Sequence, residues 1–138
     1  MSRDFRLEVV PVPVSDVDRA KRFYGEQAGF AVDLDTRIGD EVRIVQLTPP
    51  GSGCSIQLTT GIHNMPPGMM EGLQIVVPDI EAARAELVER GVETSPVQHV
   101  EDGVWVEGRG GDWNSFVLFS DPDGNDWVLQ ERPASRPS

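Results

Sequence analysis

One phrase occurs twice in this chain. Val14-Ser15-Asp16-Val17-Asp18-Arg19-Ala20 returns as Val77-Pro78-Asp79-Ile80-Glu81-Ala82-Ala83, with Asp16 and Asp79 63 positions apart. Each copy follows an apolar run, opens a helix behind an aspartate of N-cap type, and ends at a glycine, Gly29 or Gly91. A period near half of the 138 residues, present only twice, excludes a solenoid, which needs more copies to bury its faces. It predicts two supersecondary modules about a pseudo-twofold axis, within a single domain over residues 5–131. The modules lie at about 5–60 and 71–131, and the fold class is α+β.

The elements follow from periodicity and turn residues. Phe5 to Val14 reads as a strand with one free edge, because Pro11 and Pro13 cannot donate to a ladder. Asp16 caps a helix on which Val17, Ala20, Phe23 and Tyr24 recur at helical spacing. Strands are expected at Phe30–Leu34, Glu41–Thr48 and Ser55–Thr59, which makes the first module βαβββ. A loop from Thr60 to Met70 leads to a strand at Leu73–Val77 and a helix that places Ile80, Ala83 and Leu87 on one stripe. Further strands are expected near Glu93–Val97 and Val104–Val106, then at Asn114–Ser120 and Asp126–Gln130 around the turn Asp121-Pro122-Asp123-Gly124-Asn125. Residues 132–138, rich in Pro, Ser and Arg, read as a frayed, disordered tail.

Charge and composition narrow the partners. A formal net charge of −11 repels nucleic acid and anionic membranes, so neither is an expected partner, while a cationic ligand is compatible with it. No apolar stretch is long enough to span a bilayer, and Met1–Arg6 lack the apolar region of a signal peptide, so the expected location is cytoplasmic. The single cysteine, Cys54, excludes an internal disulfide and reads as a small buried thiol with no base named beside it.

Alternation within two strands points to a site. In Ser55-Ile56-Gln57-Leu58-Thr59 the apolar pair shares one face and Ser55, Gln57 and Thr59 the other. In Asp126-Trp127-Val128-Leu129-Gln130 the same split separates Trp127 and Leu129 from Asp126, Val128 and Gln130. If helices cover the apolar faces, the polar faces meet solvent or a ligand. Trp105 and Trp113 bracket the segment Gly108-Arg109-Gly110-Gly111, read as a mobile loop, and offer broad aromatic faces to an organic ligand. Met65, Met69 and Met70 supply adaptable apolar surface in the other long loop. His63 and His99 both fall in expected loops, and Asp121 and Asp123 are explained by turn chemistry.

Three stretches, residues 14–30, 77–92 and 116–131, resemble the vicinal oxygen chelate superfamily. That superfamily includes glyoxalase I, extradiol dioxygenases, and fosfomycin- and bleomycin-resistance proteins. The resemblance implies curved sheets forming a cup, completed in a homodimer, and a divalent metal held by His and Glu at fixed strand positions. Those positions correspond here to Val9, Gln57, Leu73 and Val128, three of them aliphatic. Glu8 and Gln74, one residue away, should turn to the opposite face. The resemblance therefore implies a member without a resident metal or other cofactor.

The expected function is metal-free binding of a small organic molecule by Gln57, Trp105, Trp113 and Asp126, in the manner of drug sequestration. The alternative is a glyoxalase-like lyase or isomerase, with or without a divalent metal, using polar cup residues such as Gln57 and Asp126 with an acid–base group the sequence does not identify; Asp126 could donate a proton near neutrality only if burial raised its pKa. A metal-dependent dioxygenase is not expected. A third reading is a structural dimer whose cup is filled by large side chains.

Overall fold

The computed structural model of the chain describes residues 4–134 and divides into two compact units, Met1–Met69 and Met70–Ser138. Both begin with the same local device. Asp16 (φ −139°, ψ 104°) and Asp79 (φ −143°, ψ 104°) are extended, and their side chains accept from the amides of Arg19 and Ala82. Each satisfies one amide that the first helical turn leaves without a backbone partner. At the far ends Gly29 and Gly91 hold φ of 81° and 87°, a left-handed conformation in which a β-carbon would be strained.

In the first unit, strand β1 (Val9–Pro11) precedes helix α1 (Val17–Arg22). The helix widens into a π-helical turn over Phe23–Gln27, closed by Ala28 N donating to Phe23 O at 2.9 Å. Strands β2 (Ala31–Ile38), β3 (Val42–Thr48) and β4 (Ser55–Thr60) follow, in sheet order β1-β4-β3-β2, with β1 parallel to β4. Val17, Ala20, Phe23 and Tyr24 are buried together with Val45, Leu47, Ile56 and Leu58, so this is the sheet face that the helix covers. The apolar run before β1 behaves differently from expectation. Phe5 and Leu7 are exposed; the ladder with β4 covers only Val9–Pro11, with Ser55 N also donating to Glu8 O at 2.9 Å.

The second unit contains β5 (Leu73–Val77), α2 (Ile80–Glu89), β6 (Gln98–Glu101), β7 (Val104–Glu107), β8 (Phe116–Ser120) and β9 (Asp126–Glu131). Its sheet order is β5-β9-β8-β6-β7, with β5 parallel to β9. Buried Ile80 and Leu87 mark the α2 stripe, and Val117, Phe119, Trp127 and Leu129 are the buried sheet residues. The strand expected at Glu93–Val97 lies instead at Gln98–Glu101; Thr94 makes only an isolated bridge to Phe119. Pro96 lacks the N–H a ladder needs there. The hairpin β6–β7 turns at Asp102 (φ 53°) and Gly103 (φ 77°), so this unit carries one more strand than a βαβββ module.

The phrase Asp121–Asn125 is a turn whose two ends, Asp121 and Asn125, are buried. Asp121 Oδ1 accepts from the amides of Asp123 and Asn125, both at 2.9 Å, and Oδ2 accepts from Asn125 Nδ2 at 2.8 Å. Beyond β9, Arg132 N donates to Val77 O, so the expected tail is tied at its first residue, and Ser135–Ser138 lie outside the described residues. No helix among the described residues is long and apolar enough to cross a membrane.

Candidate functional site

Strand pairing shows which side chains share the sheet face opposite each helix. In the first unit a row crosses all four strands in register: Leu34, Gln46, Gln57 and Pro11. Thr36, Ile44 and Thr59 form the next row. Gln46 and Gln57 are directly opposite each other on β3 and β4, both half-buried, and among the described residues neither side chain makes a hydrogen bond. Cross-strand partners of this kind sit about 5 Å apart at Cβ, close enough for one ligand group to meet both amides.

At one end of this face Thr48 Oγ and Ser55 Oγ lie 2.6 Å apart, and Thr48 Oγ1 also donates to Asp33. Asp33 reaches it because the β2–β3 register shifts between Val32 and Leu34, the extra residue of a β-bulge. The other charges of these strands belong to the helix face. Buried Arg43 donates to Asp35 through Nε (3.1 Å) and Nη2 (2.9 Å) and to Asp18 on α1 through Nη1 (2.6 Å). Lys21 adds 2.8 Å to Asp35, whose carboxyl is held well below the usual carboxylate range by the hydrogen bonds from Arg43 and then Lys21. The network pins α1 to the sheet and leaves the middle of the opposite face uncharged.

In the second unit the corresponding face carries Gln74, Val128 and Leu118 in one row and Val76, Gln130 and Phe116 in the next. Gln74 donates to Gln130, and Gln130 Nε2 donates to Trp113 O at 2.8 Å, so these amides are bonded within the unit. Leu73 pairs with buried Trp127 on the helix face, which corrects its expected placement beside Val128. Gln74 is the residue that shares the Val128 face, because the parallel register of β5 and β9 runs one step from the one assumed.

The aromatic and acidic candidates do not gather as expected. Trp105 is exposed on β7 and packs edge-on against Phe116, with ring centroids 5.6 Å apart. Trp113, at φ 62°, lines a cavity of about 290 Å³ with Arg109, Glu131 and Arg132. Asp126 is exposed at the start of β9 and accepts from Ser120 Oγ at 2.7 Å, so the burial on which a proton-donating role rested is missing. The segment 108–111 is anchored: Gly108 N donates to Val97 O, Gly110 N to Ser115 Oγ, and Arg109 reaches Glu131 at 2.6 Å. His99 lies in β6, where its Nδ1 bonds Gly108 O at 2.8 Å and its Nε2 lies 3.3 Å from Glu101; the Gly108 carbonyl first, then Glu101, raise its pKa above the ordinary imidazole value. His63 is exposed in the loop after β4, and Cys54 is half-buried, with its amide donating to Ser52 Oγ.

The donor set does not fit a divalent metal. Val9 and Gln57 share a face, but the residue 63 positions after Val9 is Gly72, and half-buried Leu73 pairs with Trp127 on the helix face. Of the four positions only Gln57 carries a lone pair on its side chain. Among the described residues no three His, Cys, Asp or Glu side chains are grouped to hold a metal ion.

Sheets of four and five strands, each opened by a β-strand, a capped helix and a parallel return, define the glyoxalase-like fold. The chain belongs to the Glyoxalase/Bleomycin resistance protein/Dioxygenase superfamily, whose family model matches residues 6–129. It is similar to the crystal structure of TnmS3, an antibiotic binding protein from Streptomyces sp. CB03234, with 33% identity, TM-score 0.76, and coverage of 96% of this chain and 100% of that one. A glyoxalase/bleomycin resistance protein from the same Streptomyces strain is 35% identical, with TM-score 0.71 and coverage of 91% and 99%. Among curated proteins, the uncharacterized protein YetH of Bacillus subtilis (strain 168) is 27% identical over 91% of this chain and 98% of its own length.

Proposed function

We propose that this protein binds a small organic molecule, without a metal, on the sheet face opposite α1. The observation that carries this reading is the Gln46–Gln57 pair: two half-buried amides, opposite each other in register and without hydrogen-bond partners, flanked by Leu34 and Pro11. A face mixing apolar surface with a few unspent polar groups is the usual composition of a small-molecule site. The similarity to an antibiotic binding protein supports an antibiotic or comparable organic molecule as the ligand, and sequestration as the role. The lyase or isomerase alternative has less support, since Asp126 is exposed and so lacks the burial that would raise its pKa for proton donation. The protein acts as a homodimer in this reading, which the family resemblance and the exposed apolar residues Val32, Leu34 and Ile38 of β2 support.

The test is a thermal-shift screen of EDTA-treated protein against antibiotics and other organic compounds, with and without added divalent metal. A native-state binder raises Tm by mass action, by about 2.7 kcal/mol of stabilisation at one hundred times its Kd. Organic ligands that stabilise the metal-free protein are the expected result. Stabilisation seen only when metal is added would refute it.

A further inference from the structure

The two halves of the repeat place different chemistry at the same lattice point. Pro11 pairs with Gln57 in the first sheet as Gln74 pairs with Val128 in the second, and Pro11 and Gln74 are 63 positions apart, like the capping aspartates. The cross-strand pair at that point is Gln46–Gln57 on β3 and β4, and Leu118–Val128 on β8 and β9. In the second sheet Gln74 and Gln130 are bonded to each other and to Trp113 O, and Gln98 stands alone opposite Phe116, whereas Gln46 and Gln57 are bonded to nothing within the described residues. Among the described residues only the first sheet sets two unbonded amides directly opposite each other.

The charges around this pair are directed elsewhere. Asp35 and Arg37 of β2 pair with Val45 and Arg43 on the helix face, and Asp33 is held at the bulge by Thr48. A cation placed over Gln46 and Gln57 would lose hydration with no carboxylate in their row, the Asp33 carboxylate lying at the end of the face against Thr48, which disfavours it despite the chain's net charge of −11. A primary amide offers one acceptor and two donors in a plane, and it matches an edge carrying an adjacent carbonyl and N–H.

Building on the binding function proposed above, we infer that Gln46 and Gln57 select an uncharged, planar ligand with a lactam- or imide-type edge. The two amides read that edge side by side, while Leu34, Ile44 and Pro11 receive its apolar surface.

The probe is 1,8-naphthalimide, titrated by fluorescence against the full chain. Its N-methyl derivative removes only the N–H, and its N-(2-dimethylaminoethyl) derivative adds a positive charge. The parent imide should bind about tenfold more tightly than the N-methyl compound, the size expected when one hydrogen bond is lost and a protein group is left unpaired. That ratio should fall towards one in Gln46→Leu and Gln57→Leu, and Gln57→Glu should shift preference to the cationic derivative. A ratio unchanged in both leucine variants, tighter binding of the cation by the wild-type chain, or no binding of the parent imide would each overturn the inference. Ile44→Trp, which fills the same face, separates the two levels. If it leaves imide binding intact, binding on this face is wrong; if it abolishes binding while the leucine variants keep the ratio, the face stands and the amide selection falls.

Discussion

Replacing Arg43 with Met should be among the most damaging substitutions in the first unit. The side chain is 10% exposed, and its removal deletes three charge-assisted contacts, at 3.1 and 2.9 Å to Asp35 and 2.6 Å to Asp18. A fully buried pair broken in this way would cost about 3–5 kcal/mol. Here Asp35 keeps Lys21 and the Asp18 side chain is 65% exposed, so water recovers part of that cost. The expected loss is about 2–3 kcal/mol, or on the order of 6–12 °C in Tm for a domain of this size. Asp18→Asn should cost much less than Arg43→Met, since its carboxylate is solvated.

The pH dependence has a definite sign. The folded Asp35 carboxyl titrates below its unfolded value, so its contribution is complete above about pH 4 and fades as pH falls below that. The gap between wild type and Arg43→Met, measured by urea unfolding, should therefore narrow by about 1 kcal/mol between pH 7 and pH 3. A loss below about 0.5 kcal/mol at pH 7, or a gap that widens in acid, would refute the assignment of this network as the tie between α1 and the sheet.

Gly110→Ala should destabilise the second unit by about 2 kcal/mol or more in urea unfolding, because a β-carbon there would collide with the Asn114 carbonyl oxygen and lie 2.8 Å from His99 Cβ. The His99 imidazole should titrate above 6.5 by NMR; since its folded value is raised, the stability it contributes is complete below the unfolded value and is lost as pH rises through the folded one. His99→Gln should accordingly cost more at pH 6 than at pH 8.5. Glu131→Ala removes the acceptor of Ile80 N at 2.9 Å and of Arg109 at 2.6 Å, and should cost about 1–2 kcal/mol and speed amide exchange in residues 108–113.

The parts of this fold written in local chemistry were legible in the sequence. Asp16 and Asp79 at the caps, Gly29 and Gly91 at the helix ends, and β5 at Leu73–Val77 all rest on residues within one turn or one strand. What depends on register between distant segments was not. The Arg43 ties span 8 and 25 positions, and nothing near Arg43 announces them. The facing of Leu73 was misjudged for the same reason, since one step of parallel pairing with β9 exchanges it for Gln74. Gln46 was missed although a signal existed: parity in β3 puts it with Ile44 on the face opposite Arg43, Val45 and Leu47. Only pairing with β4 shows that it stands against Gln57. The family resemblance named Gln57 but was silent about its neighbour.

The bulge at Asp33 also bears on how the protein survives at high concentration. β2 is eight residues long, lies at the end of its sheet, and exposes Val32, Leu34 and Ile38 along an edge whose outer side pairs with no other strand among the described residues. A straight apolar edge of that length is a template for adding a foreign strand and seeding fibrils. The inserted residue breaks the straight run near its start, and Asp35 and Arg37 place charges along the rest. The same irregularity that brings a carboxylate to Thr48 thus works against open-ended strand addition along this edge.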